Sequence, residues 1–131
     1  MKGVDTNILV RFLTSDDELQ AQKVYKLFKG AELKKKELFV SLLVVLELIW
    51  VLESAYKVSR NEILESLSDL ISMPILKFEN FTVLQQFINA AKDNKYDLSD
   101  LLIAHSAKFQ GCQSTLTFDK KASKFPLFEL A

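Results

Sequence analysis

Residues 39–52 read FVSLLVVLELIWVL, and this segment decides the fold class. Residues 38–40 suit a short buried strand, and Ser41 is a good N-cap for an apolar helix that is predicted to continue to about Tyr56. A strand followed at once by a helix is typical of α/β proteins. Glu47 is the one charged residue in the segment, and its surroundings need an explanation.

Glu47 has only apolar neighbours three and four positions away on a helix: Leu43, Val44, Trp50 and Val51. An unpaired carboxylate buried among them would cost several kcal/mol or would have to take up a proton. Two explanations stay open. The side chain is either a neutral Glu hydrogen-bonded to a backbone carbonyl or to an Arg, or a carboxylate that binds a cation. We favour the cation, because neither of the two Arg residues is obviously placed to serve.

Short apolar runs alternate with helical patterns along the whole chain. The predicted strands are residues 2–4, 38–40, 75–78, 114–118 and 127–130. The predicted helices are residues 7–13, 18–29, 41–56, 59–71, 81–92, 100–110 and a short one at 120–124. This alternation indicates an α/β fold with a parallel sheet covered by helices on both faces. No linker or repeat interrupts it, so residues 1–131 are expected to form a single domain.

Several residues are expected to define the helix ends. Thr6 or Asn7 is the predicted cap of the first helix, and Gly30 is expected to end the second. Ser59 and Glu62 fit a capping box, and Gly111 is expected to close the helix at 100–110.

Composition restricts the classes of function. The 131 residues are 49% hydrophobic, and 17 basic residues balance 17 acidic ones, so the net charge shows no footprint of a protein that grips duplex nucleic acid. The apolar segment is shorter than the roughly 20 residues that a membrane span needs. The N-terminus lacks the apolar stretch of a signal peptide, and Cys112 is a single cysteine, so a cytoplasmic protein is expected.

A single histidine, His105, and a single cysteine exclude zinc sites built on His and Cys ligands, and also a Cys/His nucleophilic pair. Any metal ion would have to be held by carboxylates. We expect His105 to be partly exposed, Cys112 to be a small buried residue, and Trp50 to lie in the core.

Ligands in parallel α/β sheets usually bind beyond the carboxyl ends of strands, which directs attention to four aspartates. Asp5 follows the first predicted strand in GVDTN, and Asp119 follows the fourth in TLTFD. Asp97 and Asp100, in YDLSD, begin the helix before that fourth strand. Each has a simpler alternative as a helix cap, with Asp97 and Asp100 forming a capping pair.

A divalent cation would remove the repulsion among carboxylates that lie close together. Mg²⁺ and Mn²⁺ both suit carboxylate and water ligands. Two such ions can activate a water molecule and stabilise the leaving oxygen of a phosphodiester. The acids therefore indicate a metal-dependent phosphodiesterase whose ions, rather than a basic surface, neutralise the scissile phosphate.

The chain resembles PIN-domain ribonucleases of the VapC toxin type. Four motifs carry the resemblance in order: VDTNILVRFLTSDD, VVLELIWVL, YDLSDLLIAHSAKFQG and TLTFDKKASKF. The acidic positions of the family fall on Asp5, Glu47, Asp100 and Asp119. Further matches are Asp97, an additional acid in many members, and Asn7 and Thr117, polar positions that support the site.

The resemblance implies a Rossmann-related α/β/α sandwich with a five-stranded parallel sheet. It also implies Mg²⁺ or Mn²⁺ as cofactor and hydrolysis of phosphodiester bonds in single-stranded or loop RNA. The implied partners are a second copy of the chain in a homodimer and an antitoxin protein whose tail inhibits the site. Arg11, one turn after Asn7, is a candidate phosphate contact or, equally, a residue of a solvated face.

Two other functions stay open. The domain is either a non-catalytic PIN-like module that binds a partner or RNA, or an aspartate-based phosphatase. The phosphatase needs a second Asp two residues after Asp5, where this chain has Asn7. The complete set of four acids argues against the non-catalytic module.

Overall fold

The computed structural model describes every residue from Met1 to Ala131. Backbone contacts divide the chain into two compact units, Met1–Phe81 and Thr82–Ala131. The elements of the first unit are β1 (Lys2–Gly3), α1 (Thr6–Thr14), α2 (Glu18–Leu33), β2 (Leu38–Val40), α3 (Leu42–Ser54), α4 (Arg60–Ile71) and β3 (Leu76–Phe78). Those that follow are α5 (Phe81–Ala91), α6 (Leu98–Phe109), β4 (Thr115–Thr117), a 3₁₀ helix (Ala122–Lys124) and β5 (Phe128–Leu130).

The first unit contains a parallel three-stranded sheet in the order β1-β2-β3. Lys2 lies beside Leu38, and Leu38 lies beside Leu76, so the three strands run in register from one amino edge to one carboxyl edge. Pairs of helices connect successive strands, as parallel pairing requires. At the carboxyl edge, the backbone N–H of Leu42 donates to Glu79 Oε1 at 2.7 Å, which joins the start of α3 to the end of β3.

The second unit contains a parallel pair, β4 and β5, in which Thr115 lies beside Phe128. The Ser114 hydroxyl donates to Glu129 Oε1 at 2.8 Å across this pair. The predicted α/β class and the parallel direction of the strands are therefore confirmed. The prediction of one five-stranded sheet is wrong, because the strands form two sheets of three and two. Sequence patterns indicate strands of two or three residues, but they do not specify which strand edges exchange hydrogen bonds.

Side-chain caps begin α3 and α4 as predicted. Ser41 Oγ accepts from the N–H of Val44 at 3.1 Å, and Ser59 Oγ accepts from the N–H of Glu62 at 3.3 Å. The expected end of α2 at Gly30 is wrong, since the helix continues to Leu33. Glycine is tolerated inside a helix at a cost of about 1 kcal/mol, and here the burial of the following residue, Ala31, favours continuation.

Helix α3 is buried on one side only. Val45, Leu48 and Ile49 are fully buried, whereas Leu43 and Trp50 are 77% and 63% exposed. The expectation that Trp50 lies in the core is therefore wrong. A nearly uniform apolar sequence does not show which helix face meets the sheet, because every face looks equally suitable for burial.

His105 is buried in the second unit, contrary to its expected partial exposure. Its Nδ1 lies 2.8 Å from the carbonyl oxygen of Leu101, and the centroid of its ring lies 6.4 Å from that of Phe87 and 6.1 Å from that of Phe125. Because a carbonyl oxygen can only accept, Nδ1 carries the proton. Cys112, expected to be buried, is exposed. None of the helices combines the length and apolar character needed to cross a membrane.

Candidate active site

Asp5 lies between β1 and α1, at the carboxyl edge of the three-stranded sheet. Its Oδ1 accepts a hydrogen bond from the N–H of Ile8 at 3.2 Å, so the simpler alternative of Asp5 as a helix cap is confirmed, and the prediction of Thr6 or Asn7 as the cap of α1 is wrong. The side chain is exposed, and Oδ2 has no hydrogen-bond partner within the chain. The capping role therefore holds the carboxylate in place while one oxygen faces solvent.

Glu47 is joined to the start of α1 through Thr6. The buried hydroxyl of Thr6 donates to Glu47 Oε1, which brings the carboxylate of α3 beside the residue that follows Asp5. Glu47 itself is exposed, so the expected cost of burying its charge does not arise. Its partner within the chain is a hydroxyl, and neither an Arg nor a backbone carbonyl.

Thr6 is the residue of this site that the sequence analysis missed. It was considered only as a helix cap, yet it is 5% exposed and its side chain reaches across to α3. The available signal was a hydroxyl between two polar residues of the DTN motif. Asn7, the neighbouring position predicted to support the site, is exposed in the first turn of α1.

Arg11, the candidate phosphate contact, is engaged within the first unit. Its guanidinium donates to Asp16 Oδ1 at 3.2 Å, to the Tyr56 hydroxyl at 3.1 Å and to Gln20 Oε1 at 2.6 Å. The hydrogen bond with Tyr56 is the main reason that the pKa of Arg11 is raised. Contact between Arg11 and RNA stays a prediction, and this network provides no support for it.

In the second unit, Asp100 lies near two other aspartates, Asp97 and Asp119. Asp97 is the N-cap of α6, and its Oδ1 accepts from the N–H of Asp100 at 3.0 Å, as the predicted capping pair requires. Burial raises the pKa of Asp100 by disfavouring its charged form, and the charges of Asp97 and Asp119 raise it further. The second unit therefore concentrates negative charge around Asp100.

The position of Asp119 is fixed by a hydrogen-bonded turn. Its Oδ1 accepts from the N–H groups of Lys121 and Ala122 at 2.8 and 3.2 Å, and its own N–H donates to Thr117 Oγ1 at 3.0 Å. Thr117 therefore contacts the backbone of Asp119, and this hydrogen bond helps to orient Asp119.

The acids fit a divalent cation by their chemistry. All of them offer carboxylate oxygens, the ligands that Mg²⁺ prefers, and none of them forms an ion pair with Lys or Arg. Burial is the main cause of the raised pKa of Asp100, and a cation would relieve the part that comes from the charges of Asp97 and Asp119. In neither unit by itself do three side chains of His, Cys, Asp or Glu form a group that could hold a metal ion. Metal binding therefore stays a prediction.

Comparison with known proteins identifies the family. A family model described as "PIN domain" matches residues 3–126. The chain belongs to the PIN-domain family. The VapC ribonuclease of Aquifex aeolicus (strain VF5) is 26% identical to this PIN domain over 124 residues, which cover 95% of this chain and 91% of the relative. The family match extends through both compact units and includes the positions of all four predicted acids.

Proposed function

We propose that this PIN domain is a metal-dependent endoribonuclease that hydrolyses phosphodiester bonds in single-stranded or loop RNA. The observation that carries the proposal is the hydrogen bond from Thr6 to Glu47, which brings the carboxylate of α3 beside the residue that follows Asp5, with no Lys or Arg paired to either acid. Carboxylates held together in this way, without a cationic side chain, suit a bound cation. The similarity to a VapC ribonuclease supports the same reaction.

The proposed metal ligands and catalytic acids are Asp5, Glu47, Asp100 and Asp119, and the proposed ion is Mg²⁺ or Mn²⁺. Bound there, such an ion would neutralise charge on the scissile phosphate and lower the pKa of a water molecule. The surrounding residues hold the acids in place. Thr6 fixes one oxygen of Glu47, and Thr117 fixes the turn that carries Asp119.

His105 has no part in the proposed chemistry as an acid or base. It is 5% exposed, and its Nδ1 proton is donated to a backbone carbonyl within its own helix. Acceptance of a proton from the attacking water therefore falls to the carboxylates, which are the only other titratable groups that the proposal places at the site.

The test is cleavage of single-stranded RNA by purified protein with Mg²⁺ or Mn²⁺ and with EDTA. Glu47→Gln and Asp100→Asn are expected to abolish cleavage while the circular dichroism spectrum stays that of the parent. The matched control is Glu65→Gln, which removes an exposed acid of α4 and should leave the rate unchanged. If both site variants cleave as fast as the parent, the assignment of these acids is wrong.

Thr6 provides a finer test of positioning. Thr6→Val keeps the shape but removes the hydroxyl that holds Glu47, so kcat is expected to fall by at least about tenfold, equivalent to about 1.4 kcal/mol, with little change in KM. Thr6→Ser keeps the hydroxyl and should recover most of the loss. If Thr6→Ser is as slow as Thr6→Val, the role of Thr6 is packing.

The wider role that we propose is that of the toxin in a toxin-antitoxin pair. It would act in the cytoplasm as a homodimer, with an antitoxin protein as inhibitor. The non-catalytic module predicts RNA binding without cleavage in the same assay. The aspartate phosphatase predicts release of inorganic phosphate from a monoester, which Asn7 in place of the second Asp makes unfavourable.

A further inference from the structure

A basic cavity lies at the amino edge of the three-stranded sheet. Its volume is about 660 Å³, and its charged lining consists of Lys2, Lys26, Lys34, Lys36 and Glu37. We call this the basic cavity. The net charge of the chain is zero and therefore gives no indication of this local group of lysines.

The lysines converge from three parts of the first unit. Lys2 lies on β1, Lys26 lies on α2, and Lys34 and Lys36 belong to the connection from α2 to β2. The register of β1 and β2 places Lys2 beside Leu38, which also lines the cavity. The cavity is therefore a product of the fold and not of one charged run in the sequence.

The positive charge of the cavity is not neutralised within the chain. Four lysines face one glutamate, and none of these lysines forms an ion pair with an acid. Cations at a helix C-terminus stabilise the helix dipole, which accounts for Lys34. The helix dipole does not account for Lys2, which lies on a strand, or for Lys26, which lies two turns before the end of α2. An anionic partner complements the remaining charge.

At Gly30 the lining of the cavity leaves room for a ligand to approach the helix backbone closely. Gly30 lines it from inside α2, and a Cβ atom built on Gly30 would meet no other atom within 4 Å. The glycine thus exposes helix backbone at a point where packing does not require it.

We propose that the basic cavity binds phosphate groups of the RNA chain at a place separate from Asp5 and Glu47. This rests on the proposed function, which makes RNA the polyanion that the protein meets. Asp5 follows the carboxyl end of β1, whereas Lys2 lies at its amino end, so Asp5 and the basic cavity lie at opposite edges of one sheet. Strands of three residues extend about 10 Å, so an RNA chain of several nucleotides reaches from one edge to the other. The cavity anchors the substrate, and the acids cleave it.

The binding test uses a single-stranded RNA long enough to reach both edges. Affinity is measured in EDTA, in the Glu47→Gln background, between about 50 and 200 mM salt. Combined Lys34→Gln and Lys36→Gln should make the slope of log K against log salt shallower by about 1.4, since each phosphate contact on a single strand contributes about 0.7. The control is combined Lys92→Gln and Lys108→Gln, which makes the same charge change near two other helix ends and should leave the slope unchanged.

A kinetic test separates anchoring from cleavage in the otherwise unchanged protein. The Lys34 and Lys36 changes should raise KM for the long RNA with kcat unchanged, and they should leave a short oligonucleotide that spans only the scissile bond unaffected. If the control pair alters binding as much as the test pair, or if only stability changes, the basic cavity does not bind RNA. Displacement of the RNA by an acidic peptide at equal or lower concentration would overturn the proposal in favour of a protein partner.

The two proposals fail separately. Cleavage with an unchanged salt slope refutes the anchor and leaves the ribonuclease standing. A slope that depends on the lysines, in a protein that cleaves no RNA, refutes the ribonuclease instead.

Discussion

At the scale of single residues, hydrogen bonds determine what each side chain can do. Glu47 looked like a buried charge in the sequence, yet it is exposed and accepts from Thr6. Arg11 looked available for phosphate, yet it belongs to a network with Asp16 and Tyr56. Thr6 is 41 residues from Glu47 in the sequence and Tyr56 is 45 residues from Arg11, and local sequence patterns do not show contacts over such separations.

The network around Asp16 leads to a pH prediction. The Tyr56 hydroxyl donates to Asp16 Oδ2 at 2.8 Å and is the main cause of a lowered pKa at Asp16, followed by the Thr14 hydroxyl. A folded-state pKa below the unfolded value of about 3.9 means stability that is present above that value and is lost as pH falls through the folded pKa. Tyr56→Phe should therefore lower the free energy of unfolding at neutral pH, with a difference that narrows below about pH 4.

Urea unfolding of Tyr56→Phe and the parent protein at neutral and acid pH checks this prediction. The control is Tyr56→Phe in an Asp16→Asn background, where the pH-dependent part of the difference should disappear. A loss of stability that is equal at both pH values would show that Tyr56 contributes by packing alone.

At the scale of elements, the sequence predicts that a helix or strand is present better than it predicts where that helix or strand ends. All five strands and all six α-helices occur at the predicted places, because alternating apolar patterns and caps such as Ser41 and Ser59 act locally. The end of α2 was missed, since Gly30 looks like a stop signal. Whether a helix ends at a glycine depends on the packing of the residues beyond it, here Ala31.

Gly30 and Gly111 give a matched pair of substitutions. Gly30 has helical backbone and open space at its Cβ position, so Gly30→Ala is expected to stabilise the protein by about 0.5–1 kcal/mol. Gly111 has a φ of 97°, so Gly111→Ala is expected to destabilise it. The measurement is the midpoint of urea unfolding. For both variants, the slope of the free energy of unfolding against urea concentration should equal that of the parent protein. Destabilisation by Gly30→Ala would mean that helix propensity does not govern this position.

At the scale of the whole molecule, exposed apolar side chains provide surface for the proposed homodimer. Leu43 and Trp50 lie one turn to either side of Glu47 on α3, and both are mostly exposed. Apolar surface of this kind is typical of subunit contacts.

Trp50→Glu is therefore expected to convert a dimer into a monomer, as measured by light scattering after size exclusion. Trp50 is the single tryptophan of the chain, so its fluorescence should also shift to longer wavelength when a dimer of the parent protein is diluted to monomer. The control is Phe109→Glu on α6, which changes a side chain of 49% exposure and should leave the mass unchanged. A parent protein that is monomeric at all concentrations would contradict the dimer.

The sequence by itself determined the α/β class, the parallel direction of the strands, nearly all the elements and the family of this protein. These follow from short-range periodicity, from caps and from four ordered motifs, all of which are local. Only the tertiary structure decided the division into sheets of three and two strands, the exposed face of α3, the bond from Thr6 to Glu47 and the convergence of four lysines at one edge. Each depends on which distant residues meet, and that choice is made by packing and hydrogen bonding over the folded chain.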